Sequence, residues 1–260
     1  MKGTGLCFPG GGLCLFLWIG VIYGKTFKDL ETAEELKNYL DHSFAYVRKS
    51  VFHYTSLDAL LCIFTDRILK FSVFDKTNDV IEEKFVDPGI RNKRYLCFMR
   101  TMLENFGMWA MYGGLTKTPS NLKNTYIKIE IPVTELKNFI EEKNLKANLI
   151  AYTNLLNTEK KHIYKCGALQ NSKNIDLDSV ELSGYIKDNA WEYEKELRIW
   201  SNNEYESLKE EFLKSWKIIP SPLISVEECK KLLKTDPRYE AVCSLMNIEE
   251  NKYFGTYKTR

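Results

Sequence analysis

The stretch Trp191-Glu192-Tyr193-Glu194-Lys195-Glu196-Leu197-Arg198-Ile199-Trp200 constrains the fold more than any other part of the chain. Its period-two alternation, with Trp, Tyr and Ile, predicts a β-strand. Successive side chains of a strand point to opposite faces. Tyr193, Lys195, Leu197 and Ile199 would share one face, and Glu192, Glu194, Glu196 and Arg198 the other. Leu197 and Ile199 need a core, which turns the acidic row toward water or into a cleft. Three carboxylates in line repel one another unless a cation lies across them. Arg198 is one such cation, and a substrate would be another. A solvated edge strand with cross-strand salt bridges satisfies the same pattern without any site.

The 260 residues suffice for a sizeable core, and 44% hydrophobic with 28% charged residues is an ordinary globular composition. A net charge of +2 without a basic stripe gives no general signal for nucleic-acid binding. The seven cysteines are scattered and form no CxxC, which argues for reduced thiols and a cytoplasmic setting. Only His42, His53 and His162 are available, too few for a histidine-built metal centre, so no metal is expected. Residues 1–24 complicate the compartment. An apolar run from Leu13 to Tyr23 has the length of a signal-peptide core and is short for a membrane span. It reads as a tail, a secretion or anchor segment, or a packed N-terminal element. Residues 25–260 read as a single α+β domain.

Along that domain, Thr32 and Glu35 form a capping box ahead of a helix ending near His42. Val51–Thr55 is a strand, Ser56 caps an apolar helix Leu57–Phe64, and Ile68–Ser72 is a second strand. Asp75–Asp79 is a polar turn, Tyr95–Met99 a strand, and Asn105–Gly114 a short helix with a glycine stop. Thr125–Ile131 alternates well, and Pro132 ends it before a helix from Thr134 to Ile140. Weaker strands are expected at 147–153 and 161–169, and a modest helix or loop at 178–187. Helices are expected at 204–216, from a capping box at Ser225, and at 239–245. There is no internal repeat and no Gly-rich phosphate loop. The predicted class is α+β, with a mixed, mainly antiparallel twisted sheet flanked by helices.

Several residues could carry chemistry. His53, Tyr54 and Thr55 sit where a strand meets a buried helix, and either cap that helix or point into a cleft. Asn78 and Asp79, followed by Glu82, form a turn or orient a ligand. Trp109 and Tyr112 are core residues or ring-stacking residues. Asp79, Glu82, Glu194 and Glu196 could also hold a divalent metal in a hydrolase or nuclease. A non-catalytic sensor or interaction module is the third class, and there the acids should pair with Arg198, Lys187 or other cations.

In order, Phe52–Ser56 with Leu69–Ser72, Asn78–Glu82, Cys97-Phe98, Met108–Tyr112, Lys187 and Trp191–Arg198 resemble the bacterial family named domain of unknown function 2971. The resemblance runs from about residue 50 to 235. In outline it is also similar to ADP-ribosyltransferases of the DNA-modifying toxin type. That resemblance implies an NAD-using enzyme of bacterial conflict or phage defence, acting on a nucleotide or nucleic-acid substrate. His53 with Thr55, the following helix, Ser72 and Glu196 would fill the family's roles, with Glu194 positioning the acceptor. Tyr54, Trp109 or Tyr112 would stack on a ring.

Overall fold

A computed structural model gives the structure of the chain over residues 30–74, 82, 86–100, 105–115, 118–155, 163–165, 168–170, 175–176 and 179–255. The expectations for residues 1–24 and for the Asn78-Asp79 turn lie outside the described residues.

An eight-stranded sheet organises the molecule. Its strands are β1 (Ser50–Ser56), β3 (Ser72–Val73), β4 (Arg94–Met99), β5 (Tyr126–Pro132), β6 (Lys146–Leu149), β11 (Glu196–Ser201), β13 (Lys217–Pro220) and β14 (Asn247–Ile248). Their order is β14-β13-β5-β1-β4-β11-β6, with β3 also paired to β4. Among the described residues of this sheet, the β13–β14 pair alone is parallel. A four-stranded sheet orders β10 (Ile186–Asp188), β7 (Ala151–Thr153), β8 (Ile163–Lys165) and β9 (Ala168–Gln170), and β2 (Ile68–Lys70) pairs with β12 (Tyr205–Ser207). The fold is therefore α+β with a mixed, mainly antiparallel sheet, as the sequence predicts.

The two faces of the large sheet bury different chemistry. The register puts Val51 opposite Ile131, His53 opposite Ile129, Phe98 opposite Leu197 and Ile199 opposite Ala147. This face meets α2 (Leu57–Asp66), whose Leu57, Leu60, Leu61 and Phe64 are wholly buried. Each such side chain stabilises the fold by about 1.5–3 kcal/mol. Ser56 caps α2 by accepting from the Ala59 N–H at 3.2 Å, as predicted. Arg238 ties the far side of α2 by donating to Asp58 at 2.9 Å. The opposite face of the sheet presents Phe52, Tyr54, Cys97, Met99, Glu196 and Arg198. The helix Phe106–Met111 covers part of it with Met108 and Trp109.

Three expected elements differ. Residues 68–73 split at Phe71 into two strands with different partners, because Phe71 is drawn wholly into the core. The expected helix at 204–216 is a strand over Tyr205–Ser207 and a helix only over Glu210–Lys214. The opening stretch is a strand only from Glu196. Asn189–Glu194 is a 3-10 helix, started by Asp188, whose carboxylate accepts from the Ala190 N–H, and ended by Lys195 in the left-handed region at φ 45°. Local side-chain capping thus overrides the period-two pattern across Trp191–Glu194. No helix among the described residues is long and apolar enough to cross a membrane.

Candidate functional site

At the centre of the second face lie Glu82, Lys187, Glu194, Glu196 and Arg198, each less than a tenth exposed. Arg198 is the hub. Its Nε donates to Glu196 Oε1 at 2.8 Å, and its Nη1 donates to Glu82 Oε1 at 2.7 Å and to the Gly184 carbonyl at 3.0 Å. Tyr95, Phe74 and Trp200 surround the guanidinium, with the Tyr95 ring centroid 4.5 Å away. Gly184 is required where it stands. Its φ is +77°, and a Cβ there would lie 2.7 Å from the Trp200 ring.

Lys187 enters from the smaller sheet. Its Nζ donates to Glu194 Oε2 at 2.6 Å and to Glu196 Oε2 at 3.3 Å, and lies 4.8 Å from the Trp191 ring centroid. Glu194 and Glu196 therefore converge on one ammonium, brought together by the helix-to-strand turn at Lys195 rather than by alternation along one strand. Glu196 Oε1 also accepts from the Cys97 thiol at 2.8 Å, and the Glu196 N–H donates to the Tyr152 hydroxyl oxygen at 2.8 Å. The Tyr112 hydroxyl donates to Glu194 at a long 3.4 Å.

Three carboxylates face two cations in a site removed from water, and the groups respond differently. Burial pushes the Glu196 carboxyl up, but Arg198 and Lys187 outweigh it and hold the group at about 2. Burial raises Glu82 despite Arg198, and raises Glu194 despite Lys187, with the Glu196 charge adding to both. Burial would lower Lys187, but its carboxylate neighbours reverse this and raise it. Burial and the nearby Glu196 charge raise the Cys97 thiol, and the thiol is neutral beside the carboxylate. The cluster thus holds one carboxyl lowered and, on the same ammonium, a second one raised.

The predicted site residues divide. Glu82, Glu194, Glu196 and Arg198 form the cluster itself. Tyr112 touches it. Tyr54 and Trp109 pack beside it, with ring centroids 4.8 Å apart and edge to face; Trp109 is wholly buried. His53 and Thr55 do not join them. They lie across from Ile129 and Ile127, on the face of the sheet opposite Glu196. His53 and Glu196 share no cleft, because each step along a strand changes face: Tyr54 is on the Glu196 side, and the adjacent His53 is on the other. The His53 Nδ1 meets the Cys97 carbonyl oxygen at 3.0 Å, and burial lowers its pKa. Ser72 is exposed on β3, opposite Tyr95. The row is not exposed either: both faces of β11 are covered, so Glu196 faces the cluster rather than water. Glu192 leaves the row and pairs with Lys195 at 2.6 Å.

A four-acid metal set does not assemble among the described residues. Asp79 lies outside the described residues, and Glu82 and Glu196 hydrogen-bond to the Arg198 guanidinium, Lys187 and the Cys97 thiol.

Sequence reasoning named Lys187 as a cation for the acids to pair with, but gave Tyr152, Trp191 and Cys97 no role in the site. The one local sign is Lys187 between Ile186 and Asp188 in a short buried strand. Tyr152 gives no such sign.

No curated protein sequence matches the chain. The solved structure of Thermus sp. 2.9 DarT in complex with NAD+ aligns over 77% of this chain and 95% of that one at 13% identity, with a TM-score of 0.34, too low to bear on the site. Residues 108–199, from the Trp109 helix through Ile199 of β11, match the model of a family described as protein of unknown function (DUF2971).

Proposed function

We propose that the protein acts on the glycosidic bond of a nucleotide, with NAD as the donor, and transfers or releases the ADP-ribosyl group. The observation that carries this reading is the convergence of Glu194 and Glu196 on one ammonium at the edge of an aromatic rim formed by Tyr112, Trp191 and Tyr193. Cleavage at an anomeric carbon passes through an oxocarbenium-like state. A carboxylate held ionised beside it stabilises the developing positive charge, which is the task for Glu196. The nicotinamide–ribose C–N bond breaks, and the nicotinamide leaves neutral with the bonding pair. The acceptor, water or a nucleophile, forms the new bond to C1 and gives its proton to Glu194. The raised pKa of Glu194 suits it as that base. Glu194 and Lys187 are also the more accessible members of the cluster, at 7% and 8% side-chain exposure against 2% for Glu196. The aromatic rings of the rim suit a nicotinamide or adenine ring. A role in conflict or defence accords with the sequence resemblance.

The test is NAD consumption by the purified protein, read by chromatography of released nicotinamide. Glu194→Gln, checked for native fold by circular dichroism, should lower the rate by about 100-fold or more. Absence of turnover in the wild type, or full turnover in Glu194→Gln, overturns the assignment.

A second reading has its own observation. Every carboxylate of the cluster is paired to Arg198 or Lys187, as a purely architectural cluster in a sensor or interaction module requires. In that case Glu194→Gln changes stability and no catalytic rate exists to lose.

A further inference from the structure

A cleft of about 590 Å³ opens at the far end of β11, beyond Trp200, away from the Glu194 rim. Four lysines line it, Lys37, Lys93, Lys143 and Lys146, the last two from one turn and the others from separate parts of the chain. They surround one hollow instead of forming a stripe. Lys93 and Lys146 are exposed and have no ion pair among the described residues. Lys146 stands directly opposite Trp200 in the β6–β11 register, which places a cation beside the indole. Lys143 donates to Ser207 at 2.8 Å and is set in place by that bond.

Between the lysines lies a ring ledge. Tyr185 and Trp200 are stacked, with centroids 6.4 Å apart and planes 27° apart. The ledge is rigid. The Tyr185 hydroxyl donates to Asp41 at 2.9 Å, and the Trp200 Nε1 donates to Asn148 Oδ1. Two carboxylates also line the cleft. Glu206 is buried and engaged by Ser201 and Asn203, while Glu181 accepts from Ser179 at 2.9 Å. Lys37 is paired with Asp41 at 3.3 Å and lies 5.4 Å from the Tyr185 ring centroid, and Lys143 is 3.8 Å from Glu142, so Lys93 and Lys146 are the lysines of the cleft left for a ligand.

We infer that this cleft binds a free nucleotide, its phosphates on Lys93 and Lys146 and its base on the Tyr185–Trp200 ledge. Lysine ammonium groups serve phosphate as point charges, and an aromatic ledge gives the base a stacking surface. The volume lies within the range of pockets that enclose a small ligand. A nucleic-acid strand would need a basic track leading away from the hollow, and the sequence carries no basic stripe. The site is independent of the glycosidic reading, and its wall is nevertheless shared with the charge cluster. Trp200 flanks Arg198 on its other side, and Tyr185 follows the Gly184 whose carbonyl holds Arg198.

The experiment is calorimetric titration of the full chain with ADP, with pyrophosphate and with a hexathymidylate strand. ADP should bind the wild type, and Lys93→Glu with Lys146→Glu should weaken it at least tenfold; both residues are exposed, so the fold should persist. Pyrophosphate should bind at least tenfold more weakly than ADP, and Glu194→Gln should leave ADP binding unchanged. Failure of ADP to bind, equal binding by the lysine variant, equal binding of pyrophosphate, or preference for the strand overturns the inference. Loss of ADP binding in Glu194→Gln would also overturn it, by moving the ligand to the other site. Absence of NAD turnover in the wild type with ADP binding intact would count against the glycosidic reading alone.

Discussion

Glu196 is the residue on which stability and chemistry most clearly meet. Its carboxyl is ordinarily near 4.5 and is held at about 2 in the fold. A lowered carboxyl contributes stability that is complete above 4.5 and lost as pH falls toward 2. That shift corresponds to about 3 kcal/mol, within the ~3–5 kcal/mol expected when one partner of a buried ion pair is removed. Glu196→Gln should therefore lower stability at pH 7 by about 3 kcal/mol in urea unfolding, and flatten the acid limb of stability against pH. Glu194 has the opposite sign. Its raised carboxyl costs stability when ionised at neutral pH, and the cost is relieved as pH falls through its folded value. Glu194→Gln, which can still hydrogen-bond Lys187 and leaves Glu196 on the same ammonium, should cost less stability at pH 7 than Glu196→Gln, measured in the same way. Equal losses in the two variants would mean that the two carboxylates are not differentiated.

At the scale of elements, Asn105 joins two short helices. Its Oδ1 caps the Phe106–Met111 helix by accepting from the Met108 N–H at 3.2 Å, and its Nδ2 donates to the Tyr193 carbonyl in the Asn189–Glu194 turn. Asn105→Ala should cost about 1–2 kcal/mol and loosen Tyr112 against Glu194; thermal unfolding gives the first, and a changed Tyr112 ring environment in NMR the second. The same region shows what the sequence could reveal. Glu196, Leu197, Arg198 and Ile199 follow the alternation and were legible as a strand with an ionic face. Trp191–Glu194 follow it equally well on paper, yet the Asp188 cap and the left-handed Lys195 turn them into a helix. Glu82, Glu194 and Arg198 were legible as site candidates from charge. Lys187 was legible only as one cation the acids could pair with, and Tyr152 not at all, because both come from another sheet and reach the cluster through contacts distant in sequence. His53 was placed by its chemistry, and strand parity put it on the other face.

At the scale of the whole molecule, the sheet order puts β1, β4 and β5 inside and β6 and β14 at the edges. Hydrogen exchange should be slowest in β1, β4 and β5, and fastest among the large-sheet strands in β14. Thiol exposure follows the same layering. Cys243 is exposed, while Cys229 is wholly buried. Alkylation mapped by mass spectrometry should mark Cys243 in the native protein and reach Cys229 only on unfolding; early labelling of Cys229 would mean that the core opens locally.

One guanidinium closes on both Glu82 and Glu196, and this also governs how the sequence can drift. Replacing Arg198 alone takes the guanidinium from Glu82 and leaves Glu196 with Lys187 alone, and replacing either glutamate alone leaves half a clasp. Neutral passage would take three concerted substitutions, for example to apolar side chains of matching volume. Lys187 is shared between Glu194 and Glu196, so Glu194, nearer the rim, is the member that can change with least disturbance. Variation should therefore enter this cluster at Glu194, and a saturation library scored for soluble expression should show Arg198 as its least replaceable position.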